Sequence, residues 1–179
     1  MILYEVMKSI VVAYDNERTI GRNNQLPWAG QLPADMRRFK ELTEKTSVIM
    51  GRHTFDSLPE AFRPLPYRQN IVVSLSRRAF AGALAATSLG DAFSQADSEV
   101  MVIGGADIYR QALPLVDRVY ATEIDTHTED GDTFFPEVSS DEWYVSEQQD
   151  FLADERNRFA YSFVTYLRRN PIDRLDRSE

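Results

Sequence analysis

With 179 residues, 43% of them hydrophobic and 27% charged, the chain has the size and composition of one globular domain, which excludes a disordered segment or a fibrous repeat. A formal charge of −8 without a long Lys or Arg run argues against a nucleic-acid partner; no Cys, and His53 and His127 far apart, argue against a metal. No apolar stretch reaches membrane-spanning length and no signal-peptide pattern opens the chain, so the expected partners include no membrane and the expected location is the cytoplasm.

Residues 8–14, K-S-I-V-V-A-Y, form a continuous β-branched run, the pattern of a central strand covered on both faces. Residues 15–30 hold Gly21, Asn23, Asn24, Pro27 and Gly30 and read as a long loop of the kind that often carries function. Pro33 opens a helix to about Lys45, because proline suits a first turn and Leu32, Met36, Phe39 and Leu42 recur at helical spacing. A buried strand, S-V-I-M, ends at Gly51, and a short helical segment follows through His53, Thr54, Phe55 and Ser57. Pro59, Pro64 and Pro66 impose a loop before a strand over residues 69–74. Residues 89–97 suit a surface helix, residues 100–103 a buried strand, residues 106–113 a helix after Gly104 and Gly105, and residues 118–124 a strand. Residues 143–151 and 159–167 suit a closing antiparallel hairpin with a long connection.

The expected class is α/β: a single domain with a central, mostly parallel twisted sheet, an antiparallel C-terminal strand and helices on both faces. The domain is read as residues 7–169, with residues 1–6 as an N-terminal extension, residues 170–179 as a tail, and Met7 as an alternative start.

At about 100° per residue, Leu32, Met36, Phe39, Leu42 and Thr43 share one face of the first helix, while Arg37, Arg38, Lys40, Glu41, Glu44 and Lys45 fall elsewhere. Asp35 falls inside the apolar face. An acid in a first turn can simply complement the helix dipole, for about 0.3–1 kcal/mol. By itself that reading stands level with a ligand-binding one. An ionised carboxylate beside Met36 and Phe39 nevertheless loses several kcal/mol of hydration, more than the dipole returns, and a cationic or amidine-like ligand edge would supply the donors.

Two strands end in glycine before a helix start, at Gly51 and at Gly104–Gly105, where free amides and the missing Cβ suit phosphate. Each alone is more often an ordinary turn; together they suit the two ends of a dinucleotide. G-x-G-x-x-G is absent, and Arg52, Arg77 and Arg78 follow strand ends, which favours NADP over NAD. Exposed solubilising arginine is the plainer reading, more so for Arg78 than for Arg77.

In sequence order the chain carries I-G-R-N-N-Q-L-P-W, L-P-A-D, V-I-M-G-R-H-T-F, R-P-L-P-Y-R, V-I-G-G-A-D-I-Y and D-G-D-T-F-F-P, and by these motifs it resembles the dihydrofolate reductases from about Lys8 to Arg168. The resemblance implies a monomeric enzyme that reduces dihydrofolate with NADPH. By it, Asp35 binds the pterin 2-amino group and N3, with Thr122, and a water near Trp28, completing a catalytic set to which Leu26 also belongs. Val11, Val12, Ala13, Met36, Phe39, Ser57, Leu58, Leu65, Ile103 and Tyr109 line the substrate side, and Arg68 pairs with the α-carboxylate of the glutamate tail. For each apolar residue taken singly, core packing is the simpler reading.

The same resemblance assigns NADPH to Ala13, Ile20, Gly21, Gly51, Arg52, His53, Thr54, Ser74, Ser76, Arg77, Arg78, Ile103, Gly104, Gly105, Ala106, Asp107, Ile108 and Tyr109. The 2'-phosphate ligand stays open among Ser74, Ser76, Arg77 and Arg78. The chain departs from the family pattern at Ala29–Gly30–Gln31, at the extension 59–62, and at Tyr67, which replaces the glycine usual before the tail-binding arginine. The resemblance further implies that residues 16–30 close over the nicotinamide against the loop around Asp132. The alternatives are a same-fold pyrimidine reductase of riboflavin synthesis, which lacks the P-W and L-P-A-D pairing, and a non-catalytic nucleotide-binding module.

Overall fold

A strand can be apolar at every position only if helices cover both faces of its sheet, and this is the arrangement in the computed structural model, which describes residues 6–76 and 78–169. The chain opens with β1 (Lys8–Asp15), β2 (Thr19–Gly21), α1 (Pro33–Thr43), β3 (Ser47–Gly51) and α2 (Arg52–Ser57). A 3-10 turn over Glu60–Phe62 leads to β4 (Gln69–Val73), β5 (Leu84–Ala86), α3 (Leu89–Gln95), β6 (Val100–Gly104) and α4 (Ala106–Ala112). The chain closes with β7 (Arg118–Ile124), β8 (Thr133–Phe134), β9 (Trp143–Phe151) and β10 (Tyr161–Arg168).

The main sheet runs β5-β4-β3-β6-β1-β7-β10-β9. Its pairings from β5 to β7 are parallel, and β10 is antiparallel to both β7 and β9. Alternation sorts the strand residues cleanly. Ile10, Val12, Ile49, Ile71, Val100, Val102, Val119 and Ala121 join Leu89, Ala92, Ile108 and Ala112 of α3 and α4 in one cluster. Val11, Val48, Met50, Val72 and Met101 join Phe39, Leu42 and Phe55 of α1 and α2 on the other face.

Several boundaries differ from the sequence reading. Helix α1 stops at Thr43 rather than about Lys45, because Lys45 has φ 65° and donates its N–H to the Tyr67 carbonyl at 2.9 Å. Helix α3 ends at Gln95 instead of residue 97, and its start is capped by Ser88, whose Oγ accepts from Asp91 N–H at 3.0 Å. Strand β5 and the small β2–β8 sheet have no counterpart in the reading; at three, three and two residues they are too short to show a period.

Candidate active site

Asp35 sits in the first turn of α1, which starts at Pro33 and receives a cap from far along the chain. Asn157 Oδ1 accepts from Ala34 N–H at 3.0 Å, and the Asn157 amide is held by the Asp154 carboxylate. The Asp35 side chain is buried, at 9% exposure, and burial raises its pKa above the usual carboxylate range. A hydrogen bond from Thr122 and the charge of Arg38 oppose that rise without cancelling it. Thr122 is available because it pairs with Ala13 in the β1–β7 register and faces α1 along with Tyr120 and Val11.

Trp28 lies at the same end of α1, packed with Leu32, Ile124 and Tyr161. Its indole N–H is buried and has no hydrogen-bond partner among the described residues. Tyr109 reaches over from α4 to donate its hydroxyl to the Val11 carbonyl at 2.8 Å. Burial and the nearby Asp35 charge push the Tyr109 phenol well above its ordinary value, so it stays protonated.

The other residues singled out on this side divide. Val11, Leu65, Phe39, Leu58 and Ile103 belong to the cluster under α1 and α2, and Ala13 packs beside Trp28. The Val12 side chain belongs to the opposite face, so of a run of three only Val11 and Ala13 face Asp35's helix. Met36, expected on the covered face, is 53% exposed, because the covered stripe of α1 is narrower than its apolar spacing. Leu26 is exposed in the loop, and Ser57 is exposed with its hydroxyl on the Thr54 carbonyl at 2.7 Å. Arg68 is aimed by Thr43 Oγ1 at 2.9 Å and the Pro66 carbonyl at 2.5 Å. It holds this course although Tyr67 takes φ 58°.

Spacing puts Arg38 off the apolar face of the helix, yet it is half-buried against the sheet. Its Nη1 donates to the Ala121 carbonyl at 2.5 Å, and its guanidinium lies 4.4 Å from the Phe163 ring centroid. No sequence signal distinguishes it from Arg37, because the partners that bury it come from β7 and β10.

At the carboxyl ends of β3 and β6 the two glycine turns lie side by side. A Cβ on Gly51 would stand 3.1 Å from Ile108 and 3.8 Å from the Gly105 nitrogen; one on Gly105 would stand 3.2 Å from Thr54 Oγ1. Gly104 has φ 123°, a conformation suited to glycine. Around this backbone stand Arg52, with Nη2 3.3 Å from His53 Nε2, then Thr54, Ala106 and Tyr109. Ser74 Oγ lies 2.8 Å from Ser76 Oγ. Arg78 is paired with Asp56 at 3.3 Å, and Arg77 lies outside the described residues. Asp107 turns outward to Arg110 at 2.6 Å, while Ile108 is core and packs its side chain against the Gly51 turn.

Residues 16–30 meet the loop before β8. Asn23 N–H donates to Asp132 Oδ2 at 2.8 Å, and Asp132 N–H to the Gly21 carbonyl at 3.1 Å. The Asn23 and Thr133 donors hold the Asp132 carboxyl below its usual range. Ile20 packs against the main core. The inserted Gln31 is pinned by Arg158, whose N–H and Nη1 both reach it at 2.9 Å.

A family model described as dihydrofolate reductase matches residues 7–168. The chain is 40% identical to a dihydrofolate reductase of Bacillus subtilis, over 92% of this chain and 96% of that protein. It is 42% identical to a type 3 dihydrofolate reductase of Salmonella typhimurium, over 89% and 97%. A solved structure of dihydrofolate reductase from Enterococcus faecalis, complexed with NADP(H) and RAB-propyl, superimposes with a TM-score of 0.82 at 33% identity, covering 92% of this chain and 97% of that one.

Proposed function

The chain belongs to the dihydrofolate reductase family and reduces dihydrofolate with NADPH, and we propose that Asp35 is the residue on which the substrate side of that reaction turns. The observation that carries this is a buried carboxylate with a raised pKa, bonded to one hydroxyl and set at the same end of α1 as an unpartnered indole N–H. Such a group binds the 2-amino and N3 donors of a pterin and, through its charge, favours the protonated product-like ring. Thr122 orients it, Trp28 holds a water, and Val11, Ala13, Phe39, Leu58, Leu65 and Ile103 present apolar surface to the ring and the aminobenzoyl group. Arg68 takes the tail carboxylate in a bidentate grip.

The residues at the glycine turns suit NADPH: Gly51 and Gly105 let the ends of β3 and β6 pack closely against Ile108 and Thr54, with Arg52, His53 and Thr54 on the helix that follows Gly51. Gly104, Gly105, Ala106 and Tyr109 would hold the pyrophosphate side, Ala13, Ile20 and Gly21 the nicotinamide side, and Ser74, Ser76 and Arg77 or Arg78 the 2'-phosphate. When bound, the cofactor supplies a hydride to pterin C6. The chain's part is to align the ring, to exclude bulk water by closing residues 16–30, and to let a water protonate N5, since no side-chain acid is assigned to that atom.

The reading extends to a monomer of one domain over residues 7–169, working in the cytoplasm without nucleic acid. A charge of −8 and the family match over residues 7–168 support this, and no helix of the described residues is long and apolar enough to cross a membrane. The test is loss of reduced-nicotinamide absorbance on mixing protein, NADPH and dihydrofolate, with NADH and a ribosylaminopyrimidine as comparisons. Rapid loss with NADPH and dihydrofolate alone is expected; silence there would overturn the assignment.

A further inference from the structure

Asp15 is a second buried carboxylate, at 2% exposure, and the reaction as described makes no use of it. It ends β1 where residues 16–30 begin. Its Oδ1 accepts from Glu17 N–H at 3.0 Å and Thr19 N–H at 2.9 Å. Its Oδ2 accepts from Thr128 N–H at 2.8 Å, and the Thr128 hydroxyl adds a further bond. An ordinary turn after a strand needs only the local pair; the reach to Thr128, across 113 positions, ties in a second loop.

That second loop is the one against which residues 16–30 close. Beyond the shared carboxylate the two segments meet repeatedly: Asn16 N–H on the Thr126 carbonyl at 3.1 Å, Asp132 N–H on the Gly21 carbonyl, and Asn23 N–H on Asp132. Thr19 pairs with Phe134 and Gly21 with Thr133 in the β2–β8 sheet. The fit is tight, since a Cβ on Gly131 would fall 2.5 Å from Thr19. Side chains on a two-strand pairing change faces when the register slips by one, so alignment at the roots decides whether Asn23 meets Asp132 and Ile20 meets the core.

We propose that Asp15 is a positioning residue that sets the register of residues 16–30 against the loop over residues 125–132, and through it the rate of hydride transfer. Its carboxylate is engaged by Glu17, Thr19 and Thr128 of the fold itself. This rests on the reading that these loops close over the nicotinamide. An amide in its place has one acceptor oxygen, so either the Glu17 and Thr19 donors or the Thr128 donors would face an NH2 group.

The experiment is single-turnover hydride transfer with deuterated and ordinary NADPH at neutral pH, beside the dihydrofolate Kd and denaturant unfolding, for Asp15→Asn. The isotope-sensitive rate should fall at least roughly tenfold, the equivalent of one charge-assisted hydrogen bond, while the Kd stays within about twofold. Lower stability with an unchanged rate would make Asp15 merely structural and overturn the proposal. Should Asp15→Asn fail to fold, Thr128→Val and Thr128→Ser decide the matter, since valine should slow the step and serine restore it; equal rates overturn it. Deleting residues 22–25 separates the premise. A slow deletion variant beside an unaffected Asp15→Asn sinks this inference alone, whereas an unaffected deletion variant sinks the loop-closure reading as well.

Discussion

Replacing Asp35 by Asn should cost activity and add stability in the same molecule. The ionised carboxylate loses several kcal/mol of hydration on burial. Thr122 returns about 1.5–3 kcal/mol as a charge-assisted hydrogen bond, and the start of α1 about 0.3–1 kcal/mol. The burial cost exceeds these returns by about 1–2 kcal/mol on those general magnitudes, and burial raises the Asp35 pKa in the same direction. For an acid whose folded-state pKa is raised, this penalty is absent below the unfolded pKa and grows as pH rises through the folded one. Asp35→Asn should therefore unfold roughly 3–6 °C higher than the parent near neutral pH, the difference closing in acid. Over the same range turnover should drop by roughly 10²–10³-fold and recover in part as acidity protonates N5 directly. The assays are thermal unfolding and NADPH oxidation across pH. Full turnover at neutral pH would refute the role, and a variant that is both slower and less stable would refute the balance.

Deleting residues 22–25 removes the Asn23–Asp132 contact, so single-turnover hydride transfer should slow by well over roughly tenfold while dihydrofolate Kd changes little, read by stopped-flow and fluorescence titration. Arg68→Leu should raise the dihydrofolate KM by roughly 10–100-fold with kcat nearly unchanged, because it removes a charge contact far from the reacting atoms; an equal fall in kcat would place Arg68 elsewhere. A 2,4-diaminopyrimidine should bind competitively with dihydrofolate and lose that advantage in Asp35→Asn, whereas equal affinity for both proteins would show that the carboxylate does not receive the ring.

The sheet was legible because burial on both faces writes an uninterrupted apolar run, as in Ile10–Val11–Val12 and Val100–Met101–Val102. Asp35 was legible because helical spacing shows an acid among apolar neighbours. Met36 was not, since spacing alone cannot distinguish a covered stripe from its exposed margin. Arg38 was misplaced for the converse reason: cation–π contact with Phe163 and the Ala121 carbonyl make a buried seat for a charge, and both partners lie on distant strands. The short β2–β8 pairing and the clamp from Asp15 to Thr128 share that origin, being long-range bonds with no local period.

Two aspartates with little exposed surface thus separate by their partners and by how deeply the protein encloses them. Asp15 is surrounded by backbone and hydroxyl donors that outweigh its burial and hold its carboxyl below the usual range, so its charge contributes stability at neutral pH and loses it only as pH falls through that lowered value. Asp35 has one hydroxyl and a more distant cation, and burial wins. A carboxylate whose donors all come from the fold is a structural element, whatever it does for a neighbouring loop. A carboxylate that the fold buries and leaves short of donors is destabilising until something else supplies them, which is the ground on which the proposed pterin contact at Asp35 rests. The proposed role of Asp35 on the substrate side therefore turns on that imbalance, and Asp35→Asn is the variant that tests it.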